Sequence, residues 1–278
     1  MTLALRRLLK ISRPRFWVYI LGPYLLGCIA AIGTQVAQLN WLMVVFVIFF
    51  TFPANLLIYG VNDIFDYETD KENPKKQGYE ALVKPSEHTP LRNAILLFTV
   101  PFLLALLKAS ALAQVALVGF VFFSIFYSAK PIRAKARPIL DSVFNILYVF
   151  PALVGFLLAG GTHVIWMYFI AGCLWCMAMH AYSAVPDITV DHASGIETIA
   201  TLLGAKWTLA LCGVLYVCAG ILATLAGLGV TAALLTIVYV LLIIISLCTP
   251  KEELHSVYRH FPLINTLAGF SLFVASLR

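Results

Sequence analysis

Two groups of carboxylates carry most of the chemistry available to this chain. The first reads Asn62-Asp63-Ile64-Phe65-Asp66-Tyr67-Glu68-Thr69-Asp70, and the second Pro186-Asp187-Ile188-Thr189-Val190-Asp191-His192-Ala193-Ser194-Gly195. If the helix continues through Asp70, its period lines Asn62, Asp63, Asp66 and Asp70 along one side. Asp187 and Asp191 are likewise one turn apart, with Gly195 a turn further on, where backbone can approach a ligand. Like charges at this spacing oppose a helix, and a counterion resolves the conflict. Oxygen donors suit magnesium, which keeps few carboxylates alongside waters and phosphate oxygens. Two such groups holding one diphosphate through magnesium, here expected as two ions, would neutralise charge on a departing leaving group. Loss of that group from an allylic carbon leaves an allylic cation. A solvated acidic helix end is the plainer alternative for either group alone, and their matched placement argues against it.

Cations stand near both groups. Arg13 precedes Pro14, Lys75 and Lys76 follow the first group, Lys130 and Arg133 follow Tyr127-Ser128, and Lys206 follows the second group. Arginine meets phosphate with a fixed donor fork and lysine with a compact charge, although each also serves simply to retain its loop on one side of a membrane. His180, Tyr182 and Ser183 lie within about two turns of Asp187 and are candidates to line an acceptor cavity. His180 reads equally as a helix residue satisfied internally. The six cysteines fall mostly in apolar runs, so Cys173 and Cys176 read as buried rather than redox-active, and no disulfide framework is expected.

The elements that position these residues are set by hydropathy. Of the 278 residues, 62% are apolar and 12% charged, with a mean hydropathy of +0.93, whereas soluble domains carry about 25% charge. Lipid is therefore the expected solvent, and no nucleic-acid partner is expected. A spanning helix needs about 20 apolar residues. The windows that qualify are 16–34, 41–60, 93–109, 112–129, 141–160, 164–184, 207–226, 229–248 and 262–277, nine spans in all. The first follows five basic residues but lacks a small-residue cleavage site, so it reads as a span rather than a removed signal.

With the N-terminus inside, the segments 1–15, 61–92, 130–140, 185–206 and 249–261 face the cytoplasm. They hold every lysine and arginine except Lys108 and Arg278, the bias that fixes orientation. The carboxylates gather on the same face. This predicts an integral protein of a prokaryotic cytoplasmic membrane with a cytoplasmic cap. A transporter or scaffold, the reading from a different class, would place ionisable residues deep along a conduction path. Small residues around Gly22 and Gly27, and around Gly155, Ala159 and Gly160, predict close helix approach.

The N-D-x-x-D-x-x-x-D of Asn62, Asp63, Asp66 and Asp70, with the D-x-x-x-D-x-x-x-G of Asp187, Asp191 and Gly195, closely resembles the UbiA superfamily of intramembrane prenyltransferases. The Tyr127-Ser128-Ala129-Lys130 stretch resembles the basic motif after that family's fourth helix. The resemblance covers essentially the whole chain, residues 1–278, as one domain. It implies an all-α fold of nine transmembrane helices around a central cavity, opening sideways to lipid. It implies catalytic, metal-binding carboxylates at Asp63, Asp66, Asp70, Asp187 and Asp191, with Asn62 beside them. Arg13, Lys75, Lys130 and Lys206 would assist the diphosphate of an isoprenyl donor.

The extended motifs look like the carotenoid branch, the lycopene elongases and hydratases, in which dimethylallyl diphosphate alkylates an end of lycopene. His192 departs from that branch, where arginine is expected. The alternative acceptor is an aromatic ring of quinone, chlorophyll or haem synthesis. Oligomeric state is not legible from these residues.

Overall fold

The computed structural model describes residues 3–33, 39–71, 80–250 and 253–277, and every regular element among them is helical. In chain order the helices are α1 (Leu5–Ile11), α2 (Val18–Ile32), α3 (Trp41–Phe65), α4 (Tyr67–Asp70), α5 (Pro85–Ala105), α6 (Ala111–Phe126) and α7 (Leu140–Val143). They continue as α8 (Phe150–Leu158), α9 (Trp166–Ala184), α10 (Ile188–Ala193), α11 (Ile199–Ala223), α12 (Gly229–Cys248), α13 (Leu254–Tyr258) and α14 (Phe261–Ala275). Short 3-10 turns, among them Pro14–Phe16, Phe144–Tyr148 and Val185–Asp187, join them.

Local chemistry starts these helices where it does. The Asn40 side chain accepts from Met43 N at 3.1 Å ahead of α3, and Ser110 accepts from Ala113 N at 3.4 Å ahead of α6. Thr198 and Thr201 bond reciprocally at 3.2 and 2.8 Å ahead of α11. Each satisfies amide donors that the first turn leaves unpaired, worth about 1 kcal/mol apiece. Helix α5 opens at Pro85 rather than at 93, because Pro85 suits the first helical position and Glu87 accepts from Lys84 N at 3.0 Å.

Two compact units follow. The first comprises Met1–Arg133 and Phe150–Thr162, the second Ala134–Val149 and His163–Arg278. In the first unit Phe46, Phe49 and Phe50 of α3 pack with Tyr24 of α2 and Phe120 of α6, all without exposure. Ring centroids stand 4.9 to 5.6 Å apart for Tyr24–Phe50, Phe49–Phe50, Phe50–Phe120 and Phe46–Phe49, within the range aromatic pairs prefer. A Cβ on Gly27 would collide with the Ala152 carbonyl, and one on Gly155 with the Tyr24 carbonyl. These two glycines set α2 directly on α8, as the sequence predicts, whereas a Cβ on Gly22 or Gly160 would meet nothing within 4 Å.

In the second unit α11 and α12 form an antiparallel hairpin. Gly220 meets Thr236 and Gly213 faces Ile243, while Tyr216 stacks on Tyr239 with centroids 4.5 Å apart. The chain reverses through Thr224–Leu228 and Gly229, with Gly227 at φ +118° and Gly229 at φ +50°. Helix α11 begins at Ile199, ahead of the predicted window, and bends at Gly204, whose φ of 72° and ψ of 165° are not helical.

Among the described residues six helical runs are long and apolar enough to cross a membrane: Pro14–Ile32, Trp41–Phe65, Pro85–Lys108, Leu140–Leu158, Trp166–Ala193 and Ile199–Cys248. The last contains the hairpin and so supplies two passes. Helix α6 is shorter but apolar. Leu97, Leu225, Trp207 and Val230 are 66–75% exposed, surface that lipid rather than water would cover.

Candidate active site

In the first unit the N-terminal segment, the end of α3 and the stretch after α6 meet. Proline at position 14 disfavours the right-handed helical region for the residue before it, and Arg13 takes the left-handed one, at φ 50° and ψ 70°. Such a backbone costs on the order of 1–3 kcal/mol and is held by the side chain's partners. Arg13 Nη2 donates to Asp63 Oδ1 at 2.8 Å, stands 3.4 Å from Glu80 Oε2, and its guanidinium lies 4.6 Å over the Tyr59 ring. Arg15 Nη2 donates to Glu80 Oε1 at 2.6 Å. Burial works to lower the Arg13 pKa, but Asp63 and Glu80 beside it raise it above the ordinary arginine value.

Asp63 and Asp66 are 2% and 3% exposed. Asn62 Nδ2 donates to Ser128 Oγ at 3.0 Å, which joins the first acidic motif to the Tyr127-Ser128-Ala129-Lys130 stretch. Arg133, also left-handed at φ 45°, brings Nη2 to 3.9 Å from Asp66 Oδ1. Lys130 is exposed, and Lys75 with Lys76 lies outside the described residues. The helix does not run unbroken through Asp70. Helix α3 ends at Phe65, Asp66 is non-helical at φ −109° and ψ 7°, and α4 restarts at Tyr67. The one-turn spacing survives through Asp66 N to Asn62 O at 3.0 Å and Asp70 N to Asp66 O at 2.8 Å.

In the second unit Asp187 is exposed at the end of the Val185–Asp187 turn and Asp191 is half-buried on α10, one turn on. Gly195 does not supply a third helical turn. It ends α10 at φ +65°, with Gly195 N on His192 O at 3.2 Å and Ile196 N on Asp191 O at 2.9 Å, the glycine-capped ending of a helix. Lys206 is exposed, with Nζ 5.9 Å from the centre of the Trp207 ring.

Of the acceptor-cavity candidates, Tyr182 is 1% exposed, packs on Phe261 and shares a hydrogen bond with Ser246 at 2.9 Å. Its hydroxyl belongs to the helix core. Ser183 donates to the His180 carbonyl of its own helix at 2.7 Å. His180 Nε2 stands 3.5 Å from Asp141 Oδ2, on a carboxylate with no exposure. In the sequence Asp141 is only the first residue of the 141–160 window, and no spacing singles out Glu80, Arg15 or Tyr59. Their partners lie far along the chain, where no periodic spacing marks them.

The donor set in each unit is oxygen-rich, and among the described residues no three histidine, cysteine, aspartate or glutamate side chains form a metal cage. That chemistry fits magnesium, which is held by one or two carboxylates plus substrate phosphates and water.

A family profile described as the UbiA prenyltransferase family matches residues 20–256. A lycopene elongase/hydratase of Halobacterium salinarum is 36% identical over 264 residues, covering 95% of this chain and 94% of that one. One of Haloferax volcanii is 34% identical over 269 residues, covering 96% and 87%. Among solved structures, a UbiA homolog from Archaeoglobus fulgidus superposes with a TM-score of 0.73 at 19% identity, covering 97% of this chain and 98% of that chain. The same homolog bound to DMAPP and Mg2+ gives 0.68 at 18% identity, with the same coverage. At these identities the structural likeness speaks for the fold.

Proposed function

Since the chain belongs to the UbiA prenyltransferase family and is an integral membrane prenyltransferase, we propose that it joins the dimethylallyl group of dimethylallyl diphosphate to an end of lycopene or a related carotenoid. The observation that carries this reading is identity above 30% across nearly the whole chain with relatives named lycopene elongase/hydratase. A solved homolog of the same fold bound to DMAPP and Mg2+ supports the donor.

The residues that would hold magnesium are Asn62, Asp63, Asp66 and Asp70 on the first motif and Asp187 and Asp191 on the second, both acting on one diphosphate, with two ions expected. When bound, magnesium supplies positive charge toward the departing diphosphate. Arg13 adds a fixed guanidinium at the first motif, oriented by Asp63 and Glu80 and ready to meet phosphate oxygens. Arg133, Lys75, Lys130 and Lys206 are further cations for the same anion. The apolar bundle keeps water from the allylic cation, and the acceptor's terminal double bond attacks it. A polyene needs no prior deprotonation, unlike a phenol.

The whole match is read as one catalytic domain, since the family profile runs unbroken from residue 20 to 256. It makes nine membrane crossings: the six long runs with the hairpin counted twice, together with α6 and α14. The N-terminus and both carboxylate motifs are placed in the cytoplasm, supported by the lysine and arginine distribution.

The test is to incubate purified enzyme with magnesium, dimethylallyl diphosphate and either lycopene or aromatic acceptors, identifying products by mass. Prenylated lycopene is expected. Modification of an aromatic ring alone would overturn the carotenoid reading.

A further inference from the structure

We propose that His180, oriented by Asp141, is the base that takes the proton when prenyl transfer ends, a role that rests on the reaction proposed above. Asp141 is wholly buried, and its Oδ2 accepts from Ile199 N at 3.1 Å and faces His180 Nε2 at 3.5 Å. Its Oδ1 has no hydrogen-bond partner among the described residues. A carboxylate held this deep costs several kcal/mol unless it is paired. Capping α11 through Ile199 N requires an oxygen there, but neither a full charge nor an imidazole.

Position supports the role. His180 precedes Asp187 by seven residues, through the end of α9 and the Val185–Asp187 turn, close to two helical turns. Its side chain is 17% exposed. A group set back by about two turns from a diphosphate site can meet the acceptor end of an apolar substrate.

The step balances as follows. The acceptor's terminal double bond gives its electron pair to the allylic carbon while the carbon–oxygen bond to diphosphate breaks, and diphosphate leaves with the bonding pair. The acceptor now carries a tertiary cation. His180 Nδ1 takes a proton from the adjacent carbon, and the C–H electron pair becomes the new double bond. If water adds instead, its oxygen bonds to the cation and the same nitrogen takes the proton. Asp141 stabilises the imidazolium through Nε2–H and acts as a positioning residue. The released diphosphate or bulk water then carries the proton away.

Three purified variants test this with magnesium, dimethylallyl diphosphate and lycopene: His180→Gln, His180→Ala and Asp141→Asn. The last keeps an acceptor for Ile199 N while removing charge. His180→Gln should lower kcat about 100-fold with donor KM and thermal stability unchanged, and Asp141→Asn should lower kcat by less. Added imidazole should raise turnover by His180→Ala and leave His180→Gln unchanged. Wild-type kcat in His180→Gln, or kcat, KM and stability falling together without imidazole rescue, would overturn the role. A wild-type enzyme that joins no prenyl group to lycopene would defeat the reaction itself, and this role with it.

Discussion

Asp63 and Asp66 sit one helical turn apart in spacing yet in different surroundings, the first bonded to Arg13 and the second at the end of α3 near Arg133. Under the proposed mechanism, Asp66→Asn and Asp187→Asn each remove a metal-holding charge from one motif. Each purified variant is expected to insert normally and lose most prenyl transfer, and near-normal turnover at saturating magnesium would contradict the assignment. Arg13→Ala has a different signature. It leaves Asp63 buried without its guanidinium, a loss of about 3–5 kcal/mol for a broken buried pair, so both thermal stability in detergent and donor affinity should fall, measurable by melting and by equilibrium binding. The carboxylates were legible because acidic residues at one-turn spacing are costly without a reason. Asp141 and Glu80 were not, because each acts on a partner that only folding brings near, as Asp141 does on Ile199 N.

At the scale of the helix, hydropathy placed the long apolar runs but not their ends. Helix starts at Pro85 and Ile199 depend on caps that lie in polar sequence. The break at Asp66 and the ending at Gly195 replace two turns that a simple period would have drawn. Tyr182 shows the same limit from another side: nearness to Asp187 along the chain did not disclose that its hydroxyl turns to Ser246. Small-residue packing was readable in part, at Gly27 and Gly155. Gly27→Leu should therefore push α2 off α8, because its new side chain would have to occupy the space of the Ala152 carbonyl. Backbone movement of that kind costs about 1–3 kcal/mol or more, and a lowered melting temperature of the detergent-solubilised protein would register it, whereas Gly22→Leu should be close to neutral.

Along the whole chain, lysine and arginine gather in alternate connecting segments. The charge bias predicts that His163 lies outside and His192 inside. A membrane-impermeant thiol reagent applied to intact cells should label a cysteine placed at His163, and one placed at His192 only after lysis; the reverse pattern would invert the topology. The greasy exterior formed by Leu97, Leu225, Trp207, Val230 and their neighbours has a kinetic corollary. Under the proposed function, a carotenoid acceptor dissolved in the bilayer would reach the enzyme by travelling in two dimensions, so the encounter rate would follow its mole fraction in lipid and not its amount per litre. Adding empty vesicle lipid that fuses with the enzyme's own should raise the apparent carotenoid KM in proportion to the dilution, while the water-borne diphosphate keeps its value.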